Sequence, residues 1–143
     1  MLGHQITIVS NQVVVPDYKN KQLTVYSLAG EVIKHITCPQ LSGYELNVGA
    51  SACAVDNNSI IVTDYNTSKV FKVNISTEET VWMCDDVAKP QAVAIYEKDY
   101  VCVGSKGKIS FLNIYKGERE HSKFNNMTLK VFFYFINNVK QKT

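Results

Sequence analysis

The residues of this chain whose types can do chemistry are four cysteines, three histidines, two aspartates that end similar segments, and a scatter of lysines. The cysteines stand at 38, 53, 84 and 102, and no two make a Cys-x-x-Cys pair. His4, His35 and His121 lie far apart, so the spacing offers no zinc site. Cys53, Cys84 and Cys102 sit in apolar stretches (Ala-Cys53-Ala-Val, Val-Trp-Met-Cys84, Val-Cys102-Val), as small buried thiols of a reducing compartment do. A cytoplasmic location follows as the expectation. Asp17 and Asp64 each precede a polar break, where a carboxylate caps the following turn by accepting backbone N–H bonds; a metal or catalytic role is the alternative. No nucleophile elbow, phosphate loop or metal-binding helix motif occurs. We therefore assign no catalytic residue, no metal and no cofactor.

The elements that must position these residues repeat. Val13-Val14-Val15-Pro16-Asp17-Tyr18, Ile60-Ile61-Val62-Thr63-Asp64-Tyr65 and Tyr100-Val101-Cys102-Val103-Gly104-Ser105 read alike, at offsets of 47 and 40 residues. That period is the roughly 40–50 residues of a four-stranded propeller blade. Short runs rich in Val, Ile, Tyr and Phe alternate with breaks carrying Asn, Asp, Ser and Gly, the pattern of half-buried strands joined by tight turns. No window carries a capped 3.6-residue stripe, so little helix is expected. The spacing predicts an all-β partial β-propeller over 4–120, with about three four-stranded antiparallel blades at 4–40, 48–87 and 89–120. Ser51 to Val55 and Gln91 to Ile95 are expected to be innermost strands. Residues 121–143 form an atypical C-terminal tail, whose run Val131-Phe-Phe-Tyr-Phe-Ile136 reads as foreign to the repeat, with a further strand as the alternative.

Bulk properties narrow the classes further. A hydrophobic share of 45% in 143 residues is enough for one globular core. The formal charge of +2 sets up no strong field for a nucleic acid or an anionic membrane. No apolar run reaches membrane-spanning length, and the start lacks the pattern of a signal peptide. The Asn-x-Ser/Thr matches at Asn57, Asn66, Asn74 and Asn126 are read as chance products of an Asn-rich chain.

Asp17-Tyr-Lys-Asn20-Lys-Gln-Leu23-Thr-Val-Tyr26, followed by Gly30-Glu31, resembles an NHL repeat: a strand ending in Asp, then an Asn and a basic residue, an aliphatic position, an aromatic one and a Gly turn. Asp64-Tyr-Asn-Thr-Ser-Lys69-Val70-Phe-Lys-Val73 keeps the Asp, the basic residue and the aliphatic position, but lacks the Asn at the matching place and has Val73 for the aromatic. Lys89-Pro90-Gln91-Ala92-Val93-Ala94-Ile95 is similar to the proline-led first strand of such repeats, and the third copy departs with Gly104 in place of the Asp. Residues 1–40 are most similar to the C-terminal propellers of metazoan TRIM-type proteins. Their RING and B-box motifs do not occur in this sequence, so ligase activity is not carried over.

What the resemblance implies is a non-catalytic platform for a macromolecule, with a protein as the expected partner and RNA as the alternative. A gluconolactonase-like, metal-dependent hydrolase propeller is a further alternative. In a meander, the turns from strand two to strand three emerge on one rim. These turns carry Lys19, Lys21, Lys69, Lys106 and Lys108, with Tyr18 and Tyr65 beside the first two clusters. The lysines are expected to form a mildly basic surface, and the tyrosines either to pack between blades or to stack a ligand. No membrane partner is expected. Three blades leave strand faces uncovered, so self-association or aggregation is expected of the chain alone.

Overall fold

The computed structural model describes residues 6–43 and 51–120. His4, His121, the Asn126 match, the run at 131–136 and the tail lie outside the described residues. Twelve strands follow in chain order: β1 (Thr7–Val9), β2 (Gln12–Asp17), β3 (Gln22–Ser27), β4 (Val32–Thr37), β5 (Ser51–Ala54), β6 (Ser59–Asp64), β7 (Lys69–Asn74), β8 (Thr80–Cys84), β9 (Pro90–Tyr96), β10 (Tyr100–Ser105), β11 (Lys108–Asn113) and β12 (Arg119–Glu120). They form three antiparallel sheets in the orders β1-β2-β3-β4, β5-β6-β7-β8 and β9-β10-β11-β12. The chain is all-β, with three propeller blades and no helix among the described residues. Strands β1, β5 and β9 are innermost, since the closest contacts between blades run through them.

Register makes the repeat concrete. Asp17 pairs with Gln22, Asp64 with Lys69 and Ser105 with Lys108, so these pairs occupy one position in three blades. Side chains alternate faces along a strand, and each blade turns one set forward to the next blade and the other back to the previous one. Val14, Leu23, Val25 and Ile36 of blade 1 meet Ile60, Val62, Phe71 and Val73 of blade 2 in one buried cluster. Ile61, Val70, Trp82 and Cys84 of blade 2 meet Val93, Val101, Val103 and Leu112 of blade 3 in a second. Each fully buried aliphatic side chain of this kind stabilises the seam by about 1.5–3 kcal/mol.

Polar groups stitch the same seams. The Ala54 amide donates to Thr7 Oγ1 at 3.1 Å, and the Val93 amide donates to Ser51 Oγ at 3.2 Å, joining the innermost strands. At the outer side, Lys34 Nζ donates to the Ile75 carbonyl at 2.6 Å. One blade on, the Ile114 carbonyl accepts from both Lys72 Nζ at 3.1 Å and Trp82 Nε1 at 2.8 Å. Lys72 is only 7% exposed, and a buried ammonium persists only where it finds such an acceptor. Trp82 lies on the fourth strand of its blade and is spent on this blade-to-blade contact.

Candidate functional site: a basic cleft between blades 2 and 3

The turns from strand two to strand three carry the candidate residues. In blade 1 the Asp17 carboxylate accepts from the Asn20 amide at 3.2 Å and from Asn20 Nδ2 at 2.8 Å, closing the turn over residues 18–21. In blade 2 the buried Asp64 carboxylate accepts from the amides of Asn66 at 3.1 Å and Thr67 at 3.4 Å. Asp64 also accepts from the Ser42 amide at 2.7 Å, which pins the strap leaving blade 1 onto blade 2. Both carboxylates therefore hold their own turns, and Asp64 holds the strap as well.

Tyr18 is not a surface residue. It is 1% exposed and inserts into the seam between blades 1 and 2, where its hydroxyl donates to the Thr63 carbonyl at 3.0 Å. Burial first, and the Asp64 charge second, push its pKa well above the ordinary tyrosine value. Its placement among the binding candidates is corrected: the ring fills apolar space that only a large side chain with a polar tip can fill. Tyr65, at the same repeat position, stays partly exposed with the Lys89 ammonium 5.7 Å from its ring centroid.

The seam between blades 2 and 3 consequently differs from the first. A cleft of about 350 Å3 opens there, lined by Lys89, Lys106, Lys108 and Arg119, by the hydroxyls of Ser68, Ser105 and Ser110, and by Asp86. Its origin lies in the repeat. Where blade 2 places Phe71 against blade 1, blade 3 places Ser110 against blade 2, leaving an aromatic volume empty. Where blade 2 has the strap-binding Asp64, blade 3 has Ser105, which removes a carboxylate. The turn is also two residues long in blade 3 (Lys106-Gly107, with Gly107 at φ 72°), against residues 65–68 in blade 2, so the wall is lower. Lys89 adopts φ 47°, a backbone state that costs a residue with a Cβ about 1–2 kcal/mol, and its amide donates to Ser68 Oγ at 3.0 Å. Arg119 Nη1 donates to the Asp86 carbonyl at 3.4 Å.

Of the lysines singled out by sequence, Lys106 and Lys108 come together in this cleft. Lys19 and Lys21 are exposed on the blade 1 turn, outside it. Lys69 shares the strand position of Lys108 and so faces the first seam instead. Lys89, Arg119 and Ser110 were missed from sequence. A position-by-position comparison of Asp64 with Ser105 and of Phe71 with Ser110 was the available signal. Burial pushes the thiols of Cys38 and Cys102 up to about 12, so neither is a nucleophile at neutral pH. Among the described residues, no three His, Cys, Asp or Glu side chains cluster to hold a metal, and no helix is long and apolar enough to cross a membrane.

No protein-family model matches the chain, and no curated protein sequence matches it significantly. Solved structures do. Hydrazine synthase of Kuenenia stuttgartiensis is similar to 82% of this chain with a TM-score of 0.65 and 12% identity, the match covering 35% of that protein. The Pan2 WD40 domain of Neurospora crassa is similar over 82% with a TM-score of 0.61 and 14% identity, covering 34% of that chain. This chain thus spans about a third of the length of the solved structures it matches, and at such identities the likeness concerns the fold: a propeller-type arrangement of four-stranded antiparallel blades.

Proposed function

We propose that the chain is a non-catalytic binding module of NHL-repeat type, acting in the cytoplasm, that takes a protein partner on the rim where the strand-two to strand-three turns emerge. The observation that carries this reading is the cleft itself: four cationic side chains and three hydroxyls converge on one local depression with a single carboxylate, Asp86. Such a concave spot with a few convergent polar groups is where a partner side chain seats, and the Lys19 and Lys21 turn supplies a second basic patch for long-range attraction. RNA is the weaker reading. It needs a continuous cationic track with flat rings for bases, and Tyr18, one of the two rings available, lies inside the protein.

The test uses the full chain and fluorescence anisotropy with two labelled probes, a short Glu- and Asp-rich peptide and a single-stranded oligouridylate, each at low and physiological salt. The protein reading expects saturable peptide binding that weakens when Lys106, Lys108 and Arg119 are replaced together by alanine. Tighter binding of the oligouridylate, with a steep salt dependence that flattens on replacing Lys19, Lys21, Lys69, Lys106 and Lys108 by alanine, refutes it in favour of RNA.

A further inference from the structure

We infer that the cleft between blades 2 and 3 is a receptor for a phosphoryl group carried on a serine or threonine of the protein partner; this rests on the protein-interaction reading above. The chemistry of the lining separates a phosphoryl group from a carboxylate. A phosphorylated side chain brings nearly two negative charges and three acceptor oxygens. The cleft offers three ammonium groups and a guanidinium, together with the hydroxyls of Ser68, Ser105 and Ser110. Ser110 is 4% exposed, and its hydroxyl, which reaches the cleft, is engaged by no other group among the described residues. Lys106 and Lys108 likewise form no ion pair among the described residues. Asp86 offsets one of the four positive charges, which leaves a surplus well matched to a dianion and excessive for a single carboxylate.

The first seam is the internal control. There the same space is filled by Phe71 and Tyr18, and the carboxylate of Asp64 stands where Ser105 stands in the cleft. An apolar, negatively charged seam excludes an anion; the change from Phe71 to Ser110, the change from Asp64 to Ser105 and the shorter turn make the second seam a hydroxyl-floored basic cavity. Gly107 adds access, since a side chain at its φ of 72° is disfavoured and the low turn lets a peptide backbone come close. The site is also local. A single phosphoryl group fits it, whereas successive phosphates of a nucleic acid would run out toward turns whose lysines lie elsewhere.

The experiment is an amide-resolved NMR titration of the full chain with three probes: N-acetyl-phosphoserine amide, inorganic phosphate and N-acetyl-glutamate amide. The phosphoserine probe is expected to shift the amides of Lys89, Ser105, Lys106 and Gly107 along one saturation curve, at least about tenfold more tightly than the glutamate probe. Lys106→Ala and Arg119→Gln are each expected to weaken it about tenfold. Ser110→Phe, which rebuilds the packing of the first seam, is expected to abolish binding; if that variant fails to fold, the Lys106 and Arg119 variants decide. Equal binding of the phosphoserine and glutamate probes overturns the phosphoryl assignment while leaving an acidic protein partner in place. Binding of inorganic phosphate alone overturns the peptide-borne source. Binding that all three variants leave unchanged, or no binding by any probe, overturns the site itself; in each case the acidic-peptide anisotropy above decides separately whether the protein-interaction reading stands.

Discussion

Replacing Tyr18 by alanine removes a side chain that is 1% exposed, together with a hydrogen bond of 3.0 Å to the Thr63 carbonyl of the neighbouring blade. Truncating a buried aromatic costs about 3–5 kcal/mol in lost burial and residual cavity. Tyr18→Phe keeps the ring and loses only the hydroxyl, leaving a buried carbonyl short of a donor at a cost of about 1–3 kcal/mol. Tyr65→Ala at the equivalent position loses a partly exposed ring and one cation–π contact with Lys89, about 1 kcal/mol at most. The two alanine variants should therefore differ by about 2 kcal/mol or more, a large share of the ~5–15 kcal/mol that holds a domain together. Urea unfolding followed by Trp82 fluorescence and by circular dichroism measures the difference, Trp82 being the single tryptophan and buried. Above the ordinary tyrosine pKa of about 10 the sign is also set. Because burial raises the folded value, the Tyr18 contribution is complete below that pH and is lost as pH rises beyond it, so Tyr18→Phe flattens that part of the alkaline fall. Equal losses for Tyr18→Ala and Tyr65→Ala would refute the claim that the two seams are packed differently, and the cleft with it.

Three more outcomes can be checked directly. Lys72→Met and Trp82→Phe each leave the Ile114 carbonyl one donor, so the double variant should lose more than the sum of the singles by about 1 kcal/mol in a urea double-mutant cycle. Cys38 and Cys102, pushed up to about 12, should alkylate at pH 8 roughly a thousandfold more slowly than in the urea-unfolded chain, with the partly exposed Cys53 labelled first in mass spectrometry. Leu28, at the repeat position where Ile75 and Ile114 are buried, is 63% exposed, and nearby Val32 is 54% exposed. Leu28→Ser with Val32→Thr should shift the chain toward monomer in sedimentation velocity, and an unchanged distribution would count against this face as the source of self-association.

The strands were legible because they are local. Short β-branched runs such as Ile60 to Thr63, bounded by Asn and Asp breaks, specify a strand without reference to the rest of the chain, and the innermost strands expected at Ser51 to Val55 and Gln91 to Ile95 lie within a residue of β5 and β9. Pairing outlasts propensity at the end of β10, which continues through Gly104 and Ser105 because the short Lys106-Gly107 turn keeps its partner in register. The two-residue β12 exists only through its pairing with Phe111 and Leu112. The capping geometry of Asp17 and Asp64 is also local, since the donors lie two or three residues away.

By itself, then, the sequence determined the all-β class, the blade period, the position of the turns and the presence of lysines on them, because each depends on neighbours within one hairpin. Which tyrosine is a core residue and which lines a surface was decided only when blades met. Tyr18 and Tyr65 have the same local context and different fates, because the space each can enter is made by residues of the next blade. The cleft is likewise a property of the seam: Lys89, Lys106, Lys108, Arg119 and Ser110 come from four segments of the chain, and the missing volume opposite Ser110 has no letter in the sequence. A cavity is set by what two packed faces fail to fill, and only the tertiary structure brings those faces together.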